Sequence, residues 1–124
     1  MVPAFLLPDG IAREDGQGGA ISLGESCGQL LLLTLSITRI LEQANLDVSI
    51  WGSADGQVWQ PMVSFPQKFY CGTYSLMLDL SRRREIRYLR AQWRTGRWGG
   101  EASKPLFGFH LFVERAKMQV AGAA

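Results

Sequence analysis

The chain has 124 residues, a formal net charge of +2, and 47% apolar residues at a mean hydropathy near zero, which is the composition of one domain large enough to bury a core. Its longest apolar run, Leu30 to Leu33, is far too short to span a bilayer. The N-terminus lacks a basic region and is interrupted by Pro3 and Pro8, so it does not read as a signal peptide, and the expected compartment is the cytoplasm with unclassical export left open.

Residues 1–19 are weakly patterned, with 2–7 readable as an edge strand or arm and 11–19 as a polar, Gly-rich loop. Residues 20–23 can make a short strand. From 30 to 38 the pattern sharpens: Leu31, Leu33, Leu35 and Ile37 form one face, and Leu32, Thr34, Ser36 and Thr38 the other. Such period-two alternation marks a half-buried strand. Residues 39–45 read as a loose or helix-compatible connection. Leu46, Val48 and Ile50 then alternate with Asp47, Ser49 and Trp51, and the strand runs into a turn at Asp55-Gly56, with the return starting at Val58-Trp59. Pro61 and Pro66 bound a further short strand. Tyr74, Leu76, Leu78 and Leu80 alternate with Ser75, Met77 and Asp79, and Leu89, Ala91 and Trp93 are expected to point inward from the next strand. Residues 96–100 read as a loop. Phe107, Phe109, Leu111 and Val113 form one face of a last strand, with Leu106, Gly108, His110 and Phe112 on the other, and 115–124 is a tail. The pattern predicts an all-β fold, an antiparallel jelly-roll β-sandwich of about seven to eight strands in a single domain spanning 1–124.

Leu46-Asp47-Val48-Ser49-Ile50-Trp51-Gly52-Ser53-Ala54-Asp55-Gly56-Gln57-Val58-Trp59, followed later by Arg87-Tyr88-Leu89-Arg90-Ala91, resembles the discoidin or coagulation-factor C-type family. There a strand ends in Ser-x-Asp-Gly-x-x-Trp, and a later one carries Arg-Tyr-Leu/Val-Arg. The resemblance covers about a fifth of the chain. It implies a galactose-binding-like jelly roll that binds sugars, lipid head groups or proteins through loops at one end.

Several groups invite a functional reading. Trp51, Arg94, Arg97 and Trp98 form a candidate ligand-binding set, because indole faces stack on sugars and guanidinium groups pair with carboxylate or phosphate. The competing reading is that Trp93 and Trp98 cap the end of the sandwich and Arg97 packs over them. Residues 82–97 hold seven arginines and one glutamate, a local +6 on a remainder of −4. Arg90 and Arg94 share a strand face that Arg87 does not, so nucleic-acid binding ranks last among the readings, and paired or solvated arginines rank above it, with Asp79, Glu85, Glu101 and Glu114 available. His110 has Ser103 and Glu114 near it in sequence but no marked catalytic set. One histidine with Cys27 and Cys71 gives no ligand pair at zinc spacing. Those thiols read as reduced and partly buried, and Asp47 and Asp55 read as strand and turn residues ahead of a calcium site. No catalytic residues, metal or cofactor are expected. Finally, Leu32, Trp51, Tyr88, Leu106 and Phe112 are apolar or aromatic at nominally outward positions. They predict a non-catalytic interaction or structural module that self-associates, with carbohydrate binding as the alternative.

Overall fold

The alternation at residues 30–37 becomes an inner strand of one sheet in the computed structural model, which describes residues 2–12, 14–40, 44–68, 70–97 and 107–116. Among them are nine strands: β1 (Ala4–Ala12), β2 (Gly16–Gln17), β3 (Ile21–Ser22), β4 (Leu30–Ile40), β5 (Ala44–Ser53), β6 (Gln60–Ser64), β7 (Gly72–Asp79), β8 (Tyr88–Arg97) and β9 (Phe107–Arg115). A first sheet has the order β1-β9-β4-β7, and a second has β2-β8-β5-β6, with β3 also paired to β8. Every pairing is antiparallel. The two sheets pack into an all-β sandwich.

The core lies between the sheets. Leu31, Leu33, Leu35, Phe107, Leu111 and Val113 from the first sheet meet Leu46, Ile50, Leu89 and Ala91 from the second, all fully buried. The predicted inward set of Leu31, Leu33, Leu35, Leu89, Phe107 and Phe109 is buried throughout. Trp93, also predicted inward, is half-buried at the margin of the core, edge-on to Phe109 at 5.7 Å. Its indole N–H donates to the Glu14 carbonyl at 2.9 Å.

Strand boundaries depart from the pattern in specific places. β4 runs to Ile40 and β5 begins at Ala44, where a looser connection is predicted. Gly96 and Arg97 belong to β8 rather than to a loop, and the return strand β6 starts at Gln60, two residues after Val58. Within the predicted loop at 11–19, β1 continues to Ala12 and Gly16–Gln17 pairs with β8. β2 and β3 have two residues each, too few to carry a period, and both exist because β8 offers an edge. The Asp15 carboxylate fastens this segment by accepting the Thr95 N–H at 2.7 Å. Gly16 is required there by space, since a Cβ would lie 2.5 Å from the Trp93 ring.

Candidate functional site

Burying Leu46, Val48, Ile50, Leu89 and Ala91 inward turns their strand neighbours outward. Antiparallel pairing then sets Asp47 opposite Arg94, Ser49 opposite Gln92 and Trp51 opposite Arg90 across β5 and β8. Asp47, Ser49, Trp51, Gln92, Trp93 and Arg94 line a cleft of about 280 Å³ on this outer face. The Trp51 indole N–H donates to Ser49 Oγ at 3.0 Å, which holds the ring in place. Gln67 Nε2 donates to the Asp47 carboxylate at 2.9 Å. Beside the cleft, the Arg90 guanidinium stacks on Trp59 at 4.3 Å, and its Nε is buried with no hydrogen-bond partner among the described residues. An aromatic face ringed by a carboxylate, an amide and a guanidinium matches the needs of a polar ring-shaped ligand. Two of the four sequence-predicted ligand residues, Trp51 and Arg94, therefore share one cleft. The Arg97 side chain and Trp98 lie outside the described residues.

The turn after β5 is built by two side chains. Ser53 Oγ accepts the backbone N–H groups of Asp55 and Gly56, at 3.2 and 2.8 Å, and donates to Asp55 Oδ1 at 3.0 Å. That oxygen in turn accepts the N–H groups of Gln57 and Val58, at 2.8 and 3.0 Å. The N–H groups of Val58 and Gln57, with the Ser53 hydroxyl, hold the Asp55 carboxyl below its ordinary pKa. Gly56 has φ +79°, a left-handed conformation that suits glycine. Asp55 is thus a turn former.

The first sheet presents a different outer face. β1 and β9 set Phe5 opposite Phe112, while β4 sets Leu32 opposite Met77 of β7 and Glu114 of β9. Phe5 and Met77 are each 51% exposed, and Leu32 and Phe112 are half-buried. Phe5 meets Phe112 edge to face at 5.1 Å and His110 at 5.7 Å. His110 Nδ1 stands 3.7 Å from Asp9 Oδ1. Ser36 is its cross-strand neighbour, but the Ser36 hydroxyl lies 3.5 Å from that of Thr73. Ser103 lies outside the described residues.

The predicted self-association set is accordingly divided. Leu32 and Phe112 face out from the first sheet, Trp51 and Tyr88 belong to the second, and Leu106 lies outside the described residues. Phe5 and Met77 complete the two apolar pairs of the first sheet without having been in that set. Met77 was legible as an outward residue from its alternation. Phe5 acquires its place only through the pairing with Phe112. The arginine segment forms no single stripe: Arg83 pairs with Glu85 at 3.1 Å, Arg90 stacks on Trp59, and Arg94 lines the cleft. Cys27 and Cys71 are free thiols, half-buried and exposed respectively. Among the described residues, no cluster of three His, Cys, Asp or Glu side chains is placed to hold a metal ion, and no helix is long and apolar enough to cross a membrane.

No protein-family model and no curated protein matches the sequence.

Proposed function

We propose that this domain is a non-catalytic protein-interaction or structural module that assembles with copies of itself. The observation that carries the reading is two apolar pairs on the outer face of the first sheet, Phe5 with Phe112 across β1 and β9 and Leu32 with Met77 across β4 and β7. They are set diagonally because Phe112 lies opposite Thr34 and Leu32 opposite Glu114. Fully covering a large apolar side chain contributes about 1.5–3 kcal/mol, and these four, each already partly buried, contribute a fraction of that apiece toward the entropy lost on association. Sedimentation of the intact chain at about 20–50 μM tests it, because an interface this apolar associates well below that concentration. A single monomeric species at that concentration overturns the reading.

A second reading is favoured by the cleft that unites Trp51 with Arg94: a carbohydrate-binding module of galactose-binding-like, jelly-roll type. Its support is that the two discoidin-like segments, 46–59 and 87–91, are spatial neighbours. Ser53 pairs with Tyr88, and the Arg87 N–H donates to the Ser53 carbonyl at 2.9 Å. A glycan array probed with the intact protein decides this reading, and binding to no glycan removes it.

A further inference from the structure

The edges of the two sheets are not equally protected. An exposed strand edge templates pairing with another chain, and proteins block it with prolines, bulges, charges or very short strands. β1 carries Pro8 and two breaks of register against β9. β6 carries Pro61 and one break against β5. β2 and β3, at the far side of the second sheet, are two residues long. Within its own residues β7 shows none of these devices, and among the described residues the one charge set against it is the Lys68 ammonium, over the Tyr74 ring at 3.9 Å. The eight residues of β7 pair with β4 without a break, from Leu30 opposite Asp79 to Ile37 opposite Gly72. It contains no proline and no charge before its last residue, Asp79.

We propose that a second copy of this chain pairs antiparallel with β7 about a two-fold axis, so that the two first sheets join into one. This rests on the self-association reading and names its seam. Self-pairing is chemically consistent because Gly72–Leu78 is uncharged, and no like charges are brought opposite one another. The side-chain faces select the register. With Leu76 opposite the partner's Leu76, Tyr74 falls opposite the partner's Leu78, and all three inward side chains of each copy find an apolar neighbour. Sliding by one residue in each copy one way sets Leu78 opposite Gly72, and the other way sets Tyr74 opposite Leu80, which lies past the end of β7 and is already fully buried. Tyr74 and Leu76 are only half-buried in the single subunit, and they gain cover from this pairing. On the outer face, Ser75 falls opposite the partner's Met77. Met77 and the partner's Met77 then lie diagonally across the seam, bringing the apolar pairs of the two copies toward one another.

The test uses the full chain carrying Ser75→Lys with Met77→Lys. Both positions are exposed, so circular dichroism and the melting temperature are expected to match the unmodified protein. In the proposed register each lysine meets a lysine of the other copy, and the concentration for half-assembly rises by about tenfold or more. Mixing this variant with Ser75→Glu/Met77→Glu restores a heterodimer. Assembly unchanged by the lysines overturns the β7 seam while leaving self-association standing. A monomeric lysine variant that the glutamate variant cannot rescue overturns the pairing and assigns the effect to the apolar pairs. An unmodified protein that is itself monomeric overturns both. Hydrogen exchange supplies a check independent of any variant: protection of the 72–79 amides rises with protein concentration, and protection that does not change with concentration counts against the seam.

Discussion

The two outer faces of the sandwich lie on opposite sides of one core and differ in chemistry. The face of the first sheet carries two apolar pairs, Phe5 with Phe112 and Leu32 with Met77, set diagonally past Thr34 and Glu114. The face of the second is a cleft where Trp51 sits among Asp47, Ser49, Gln92 and Arg94. Apolar side chains at full contact drive association without direction, whereas an indole ringed by hydrogen-bonding groups selects a ligand by orientation. The same alternation that buries Leu33 and Ile50 thus sets apolar side chains outward on one side and a polar recess on the other. Residues that are equally "outward" in sequence are therefore not interchangeable, and Leu32 and Trp51 cannot share an interface within one subunit.

The largest expected effect comes from breaking what the two faces have in common. Leu33→Ala removes a fully buried side chain from the inner strand β4 and is expected to cost about 2–5 kcal/mol in denaturant unfolding, weakening both faces together. A loss within error places Leu33 outside the core. Separating the faces comes next. Phe112→Lys sets a charge in one of the apolar pairs, and light scattering is expected to show at least about tenfold weaker assembly, with glycan-array signals unaltered. The reciprocal change, Trp51→Ala, is expected to abolish any glycan signal and leave the molar mass of the assembly unaltered. If either substitution moves both readouts without a shift in melting temperature, the division between the faces is wrong.

Smaller effects sharpen the second face alone. Gly56→Val forces a β-branched residue into a left-handed conformation and is expected to cost about 1–2 kcal/mol. An unchanged melting temperature argues against that turn geometry. Asp55 gives the smallest effect and the only pH signature among these changes. Its carboxyl pKa is lowered in the folded chain by the N–H groups of Val58 and Gln57, so its contribution is present above the ordinary carboxylate value and fades as pH falls through the lowered one. Melting curves of Asp55→Asn are expected to diverge from the unmodified protein near neutral pH and to begin converging only as pH falls below about 4, toward the lowered value. Divergence that persists in acid rules out ionisation as the source.

Local chemistry was enough to read the sandwich, the inward faces of β4, β5, β8 and β9, and the Asp55-Gly56 turn. Each depends on side-chain alternation over five or more residues or on a conformation that one residue type favours. Tertiary structure alone decided the rest. β2 is a strand because β8 lends it a partner, and Gly16 is a glycine because Trp93 lies over it. Alternation distinguishes inside from outside but does not say which of two opposite faces an outward residue occupies, since that follows from strand order. That order placed Trp51 beside Arg94 and Leu32 beside Met77, and it left β7 as the edge strand of its sheet among the described residues. Strand order is set by contacts between residues far apart in the chain, as between Leu32 and Glu114 or Phe5 and Phe112, and no local period encodes those separations.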